Sequence, residues 1–141
     1  MTDFVVDASV ALKWLIEEPD SSSALKLLGF RLSAPDLLIP ECGNALWRKS
    51  RKGELSEAEA LFGAGLLQRM DIELHPMRQL LEAATRIALR ADHAVYDCMY
   101  LALAEVLACA FITEDRRLVA KARNLGLSAE IWTLRDVDAR L

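Results

Sequence analysis

The apolar runs of this chain are short and stop at acids: Phe4-Val5-Val6 at Asp7, Leu37-Leu38-Ile39-Pro40 at Glu41, and Phe111-Ile112-Thr113 just before Asp115. Asp3 to Val6 reads as a short buried strand, and Ala8 to Ile16 as a helix that Glu17-Glu18-Pro19-Asp20 interrupts. Ser21 to Leu28 resumes helically until Gly29, and Arg31 to Asp36 is a weak strand. From Leu37 to Lys52, apolar residues at helical spacing (Leu38, Cys42, Ala45, Leu46) predict a helix stopped by Gly53, with Pro40 in its first turn. Ser56 with Glu59 has the capping-box spacing and opens a helix to about Arg69. Asp71 to Leu74 alternates as a strand halted by His75-Pro76. Gln79 to Ala91 is helical, and Asp92 is expected to cap the next helix, Val95 to Cys109. That helix is apolar on nearly every side and belongs at the centre of the packing. Phe111 to Thr113 is a strand, Arg116 to Leu125 a helix ended by Gly126, and Glu130 to Trp132 a last strand before a C-terminal helical turn. Strands alternating with helices predict an α/β fold whose parallel sheet has right-handed crossovers.

With 141 residues the chain fits a single domain spanning 1–141, and no linker, repeat or low-complexity segment divides it. Its hydrophobic fraction of 53% exceeds what a small domain needs for its own core. A homodimer or an apolar-binding partner is therefore expected. A net charge of −4 excludes a protein that coats nucleic acid through its overall field, so any such contact must be local. Arg48, Lys49, Arg51 and Lys52 form one candidate patch, which equally fits a solvated helix end whose cations complement the helix dipole. Cys42, Cys98 and Cys109 lack the paired spacing of zinc sites or disulfide frameworks and read as reduced core cysteines. With no signal-peptide pattern at the start, they point to the cytoplasm. The apolar stretch from Val95 to Ile112 contains Asp97 and Glu105 and is read as a buried helix plus a strand, not a membrane span.

The chemistry lies in Asp7, Glu41, Asp97 and Asp115, which fall where strands end and helices begin. Carboxyl ends of strands are where α/β sheets build their sites. Each acid alone also fits helix capping or the positive end of a helix dipole. Asp97 strains that explanation most, because it sits on the most apolar helix and no Lys or Arg occurs from Val95 to Thr113. A bound cation would supply the missing charge. Carboxylates without neighbouring His or paired Cys select Mg²⁺ or Mn²⁺ and disfavour zinc. His75 and His93 match no ligand spacing and read as surface or turn histidines. Ser9 and Thr113, each two residues from an acid, supply hydroxyls that either serve the site or bond to backbone at helix starts. No Gly-rich phosphate loop and no Gly-x-Ser-x-Gly elbow is present.

Four blocks resemble PIN-domain ribonucleases, most closely the VapC-type toxins of toxin–antitoxin pairs. They are Val5 to Leu15, Pro40 to Leu46, Tyr96 to Ala104 and Thr113 to Leu118, and their order and spacing are together specific. The resemblance implies a three-layer α/β/α fold with a parallel sheet of about five strands. It also implies Mg²⁺- or Mn²⁺-dependent cleavage of RNA and a cognate antitoxin. The family's acids fall on Asp7, Glu41, Asp97 and Asp115, with hydroxyl support at Ser9 and Thr113. On this reading Asp7, Asp97 and Asp115 hold the metal, and Glu41 is the candidate general base or the orienter of a water or second ion. Arg116 is a candidate phosphate contact. Glu114 and Arg117 depart from the family pattern: Glu114 either repels substrate or helps a second metal, and Arg117 argues against full two-metal occupancy. Two other classes compete, a phosphoacceptor signalling domain and a catalytically inactive interaction module of the same fold. The first expects an acidic pair after the first strand and a lysine after a late one, and this chain has neither.

Overall fold

The computed structural model, which describes residues 1–141, resolves the short apolar runs into five parallel strands. They are β1 (Phe4–Val6), β2 (Leu32–Pro35), β3 (Glu73–His75), β4 (Ala110–Ile112) and β5 (Ile131–Trp132), in the spatial order β3-β2-β1-β4-β5. β1 and β2 are buried along their whole length, which is why neither alternates between apolar and polar residues. β3 lies on the edge with Glu73 and Leu74 exposed, and its sequence is accordingly mixed.

The helices are α1 (Ala8–Leu15), α2 (Ser21–Leu25), α3 (Leu38–Arg51), α4 (Glu57–Arg69), α5 (Leu81–Ala91), α6 (Val95–Leu107), α7 (Arg116–Ala122) and α8 (Leu134–Arg140). From β1 the chain steps outward through β2 to β3, then crosses back to the far side of β1 for β4 and β5. Right-handed crossovers made in opposite directions put helices on both faces of the sheet, giving three layers. α6 packs against β1, β2 and β4, with Cys98 through Ala104 all buried, so its middle turns are enclosed while Tyr96 and Val106 near its ends stay exposed. Tyr100 of α6 stacks on Phe111 of β4 at 5.9 Å between ring centroids.

Side-chain caps start four of the eight α-helices, from Asp7, Ser56, Asp115 and Thr133. Ser56 and Glu59 form the expected capping box of α4. Gly126 closes the turn after α7 with φ +71°, a conformation that costs a residue with a side chain more. Two expectations need correction. Asp92 does not cap α6; it ends α5 in the left-handed conformation with φ 52°, and α6 starts after Ala94 without a side-chain cap. Aspartate suits both roles, since its short polar side chain tolerates the left-handed region. The C-terminal turn is in fact the full helix α8, started by a second capping box between Thr133 and Asp136. No helix is long and apolar enough to cross a membrane.

This topology creates one crevice. β1 and β4 are neighbours from which the chain leaves in opposite directions, and such a switch point opens a cleft at the carboxyl ends of the strands. Val6 pairs with Ile112, so Asp7 and Thr113 emerge there side by side.

Candidate metal centre

Asp7 is held from three directions. As the N-cap of α1 it accepts the Val10 N–H at Oδ1 (3.3 Å), and the Ser9 hydroxyl donates to the same oxygen at 2.5 Å. The Thr113 hydroxyl donates to Oδ2 at 2.5 Å, bridging β4 to β1. Those two hydroxyls also accept backbone N–H groups, Ser9 from Glu114 at 2.9 Å and Thr113 from Asp115 at 3.0 Å. The turns after β1 and β4 are thus tied into one polar network. Burial pushes the Asp7 carboxyl up to about 7 against these stabilising bonds, and the charge of Asp97 adds to the rise.

A second cluster lies close enough for the charge of Asp97 to act on Asp7. Asp115 caps α7 with Oδ1, which accepts Leu118 N–H at 3.1 Å, leaving Oδ2 3.7 Å from His93 Nε2. Asp97, in the first turn of α6, sets Oδ2 at 2.7 Å from the same nitrogen. Donor atoms of His93, Asp97 and Asp115 all lie within 4.8 Å of one another. Two ligands of an octahedral ion at ~2.1 Å stand about 3.0 Å apart when adjacent and about 4.2 Å apart when opposite. The spacing therefore fits one divalent cation with little adjustment.

Glu41 enters from the first turn of α3. Its Oε1 accepts the Tyr100 hydroxyl at 2.5 Å, and Tyr100 sits one turn beyond Asp97 on α6. Burial raises the Glu41 carboxyl, the Tyr100 bond lowers it, and Asp97 raises it further. Since Asp97 acts electrostatically on both Asp7 and Glu41, these three acids share one field.

The sequence matches the PIN domain over residues 4–124. The chain belongs to the PIN-domain family. Ribonuclease VapC9 of Mycobacterium tuberculosis is 34% identical over 114 residues, covering 81% of this chain and 87% of that one. Ribonuclease VapC3 of Pyrobaculum aerophilum is 32% identical over 124 residues, covering 83% and 92% respectively. The crystal structure of PAE2754 from Pyrobaculum aerophilum superposes with a TM-score of 0.73 at 25% identity, covering 99% of this chain and 91% of that one. The three-layer architecture with its parallel sheet is thus that of PIN domains, and the relatives place the chain among the VapC type.

Within this PIN fold the residues singled out by sequence separate into groups. Asp97 and Asp115 come together, Asp7 joins them through Thr113, Ser9 and the shared field, and Glu41 joins through Tyr100. His93, read from sequence as a turn histidine, is instead part of the cluster, and the premise that no histidine lies nearby does not hold. Its separation of four residues from Asp97 was the available signal. Glu114 turns away from the acids: Oε1 accepts the Leu134 N–H at 2.6 Å at the head of α8, and Oε2 lies 3.8 Å from Arg116. Both of its oxygens are engaged outside the cluster of His93, Asp97 and Asp115. Arg48, Lys49, Arg51 and Lys52 stand at the opposite end of α3 from Glu41, roughly 10–16 Å along its axis at ~1.5 Å per residue. There Lys49 lies 3.5 Å from Glu18 and 3.8 Å from Glu54, and Arg51 lies over the Trp47 ring at 5.5 Å. Arg116 is exposed beside Asp115 at the start of α7. His75 is remote, at the end of edge strand β3 beside Glu73.

Proposed function

We propose that this chain is a divalent-metal-dependent endoribonuclease and the toxin of a toxin–antitoxin pair. The observation that carries the reading is the convergence of His93, Asp97 and Asp115 donor atoms within 4.8 Å at the switch point of a PIN fold. Relatives named as ribonucleases support the substrate class. A cation bound there, Mg²⁺ or Mn²⁺, supplies positive charge against the negative charge that develops on a phosphodiester during cleavage. Asp97 and Asp115 hold it, with Asp7 behind them fixing the two turns. Glu41, its carboxyl raised by burial, takes the proton of the attacking water, and the Tyr100 hydroxyl orients it. Arg116, exposed beside the acids, contacts a neighbouring phosphate of the RNA.

The antitoxin reading has its own support. A groove of about 550 Å³ between the ends of α1, α3 and α4 is floored by Leu15, Ile16, Leu55 and Phe62. Glu17 and Glu54 are among the acids on its rim, so it suits an amphipathic helix with basic flanks. Elsewhere Trp47, Leu89 and Val106 stand exposed, and a second copy of the chain would cover apolar surface of this kind. Light scattering that returns a monomer mass would remove that second copy.

The direct test is cleavage of structured RNA by purified protein with and without a chelator, and by Asp97→Asn. Both treatments should reduce cleavage by a hundredfold or more, at least the ~10²–10³ in rate that losing one preorganised electrostatic contact to a transition state costs. Cleavage that survives either one refutes the metal–carboxylate mechanism.

A further inference from the structure

His93 is the nitrogen donor in a site otherwise built of carboxylates, and its placement exceeds what a turn between two helices needs. Nε2 faces the gap between the acids, 2.7 Å from Asp97 Oδ2 and 3.7 Å from Asp115 Oδ2, and the side chain is only 10% exposed. The backbone that carries the ring is pinned. The His93 N–H reaches the Ala88 carbonyl at 3.2 Å, closing the end of α5, and Lys121 Nζ donates to the Asp92 carbonyl at 2.7 Å. A ring held on fixed backbone between two carboxylates is a preorganised ligand.

We propose that His93 binds the cation directly through Nε2, together with Asp97 and Asp115, and that this nitrogen makes the site prefer Mn²⁺ to Mg²⁺. The proposal rests on the reading above that a divalent cation is held at this centre. A neutral imidazole has one N–H and one lone pair. In the cation-free site Nε2–H donates to Asp97; with the proton on Nδ1, the Nε2 lone pair points into the same gap. No net proton is gained or lost in that exchange of tautomers. Mg²⁺ keeps to oxygen ligands and sheds water reluctantly. First-row transition ions accept imidazole more readily, so one nitrogen beside two carboxylates shifts selectivity toward them without excluding oxygen-seeking ions.

The competing role for His93 is that of a positioning residue which only orients Asp97 through a hydrogen bond. Both roles use the same 2.7 Å contact, so cleavage assays alone do not separate them. Metal binding does. Chelator-treated wild type, His93→Gln and His93→Ala are titrated calorimetrically with Mn²⁺ and with Mg²⁺, and the Mn²⁺-loaded proteins are examined by pulsed EPR. Wild type should bind Mn²⁺ about tenfold or more tightly than Mg²⁺ and show nitrogen hyperfine coupling from a directly bound imidazole. Both variants should lose that coupling and about tenfold or more of the Mn²⁺ affinity, with Mg²⁺ affinity changed less than about threefold. Melting in chelator confirms that the variants fold, and the glutamine variant retains side-chain bulk. Mn²⁺ bound to wild type without nitrogen coupling, or equal losses for both ions in the variants, overturns the proposal and leaves the metal-dependent function standing. Binding of neither ion to wild type overturns both.

Discussion

Asp7→Asn should stabilise the metal-free protein above neutral pH even though it damages the site. The Asp7 carboxyl titrates at about 7 in the fold against an ordinary value of 3.8. Between those values the folded state binds more protons than the unfolded state. The contribution of Asp7 to the stability of the metal-free protein is therefore fully present below about pH 4, falls as pH rises through this window, and levels off above about 7. A difference of about three units at ~1.36 kcal/mol each makes the loss roughly 4 kcal/mol. Asparagine never ionises and escapes it. The substitution has a cost, because both Asp7 oxygens accept hydroxyls, from Ser9 and from Thr113, whereas an amide offers one oxygen and one NH₂ group. One hydroxyl must turn and lose its acceptor, a penalty of ~1 kcal/mol. The net gain is about 3 kcal/mol above pH 7. With an unfolding entropy of ~2.1 cal/mol/K per residue, a chain of 141 residues gains roughly 10 °C in Tm. Circular-dichroism melts in chelator from pH 4.5 to 8.5 measure it: the wild-type Tm should drop away from that of the variant as pH rises. Parallel curves would refute the argument that burial sets the proton affinity of Asp7. Adding Mn²⁺ at pH 8 should raise wild type and variant alike by mass action, because His93, Asp97 and Asp115, which converge on the ion, are present in both.

Tyr100→Phe keeps the stacking on Phe111 but removes the donor to Glu41, a bond that holds its carboxyl down. The acid limb of the cleavage pH profile should move to higher pH, and an unmoved limb would show that Glu41 is not the proton acceptor. Glu114→Gln should leave cleavage within about twofold of wild type and cost about 1 kcal/mol of stability, seen in denaturant melts, because only a charged cap on the first N–H of α8 is weakened. A large fall in activity would restore Glu114 to the site.

Much of the fold was legible because local rules decided it. The run Phe4-Val5-Val6 is fully buried, too short for a helix and stopped by an acid, and it became the central strand β1. Ser56 with Glu59 announced the start of α4, and the observed capping box matches. The acids were visible as polar residues interrupting apolar runs. Asp7 and Asp115 do cap helices, as their sequence neighbourhoods allow, and each keeps an oxygen for something else: Asp7 for Thr113, Asp115 for the His93 cluster. Capping and site-building were never alternatives for these residues.

What escaped sequence reading depended on partners far along the chain. The role of Glu114 is set by Leu134, the first residue of a helix that follows β5. The cations from Arg48 to Lys52 share a helix with Glu41, yet the rigid rise of α3 carries them roughly 10–16 Å away from it. Nearness in sequence became distance in space.

The sequence by itself determined where strands and helices begin and which positions carry the acids, because hydrophobic period, caps and turn residues act within a few residues. Only the tertiary structure decided that β4 lies beside β1, which sets Thr113 against Asp7 and Asp115 opposite His93. Strand order is a matter of which buried faces meet, and that is settled by packing across the whole chain. The left-handed turn at Asp92, pinned by Lys121, then delivered a histidine into a centre that sequence described as purely acidic.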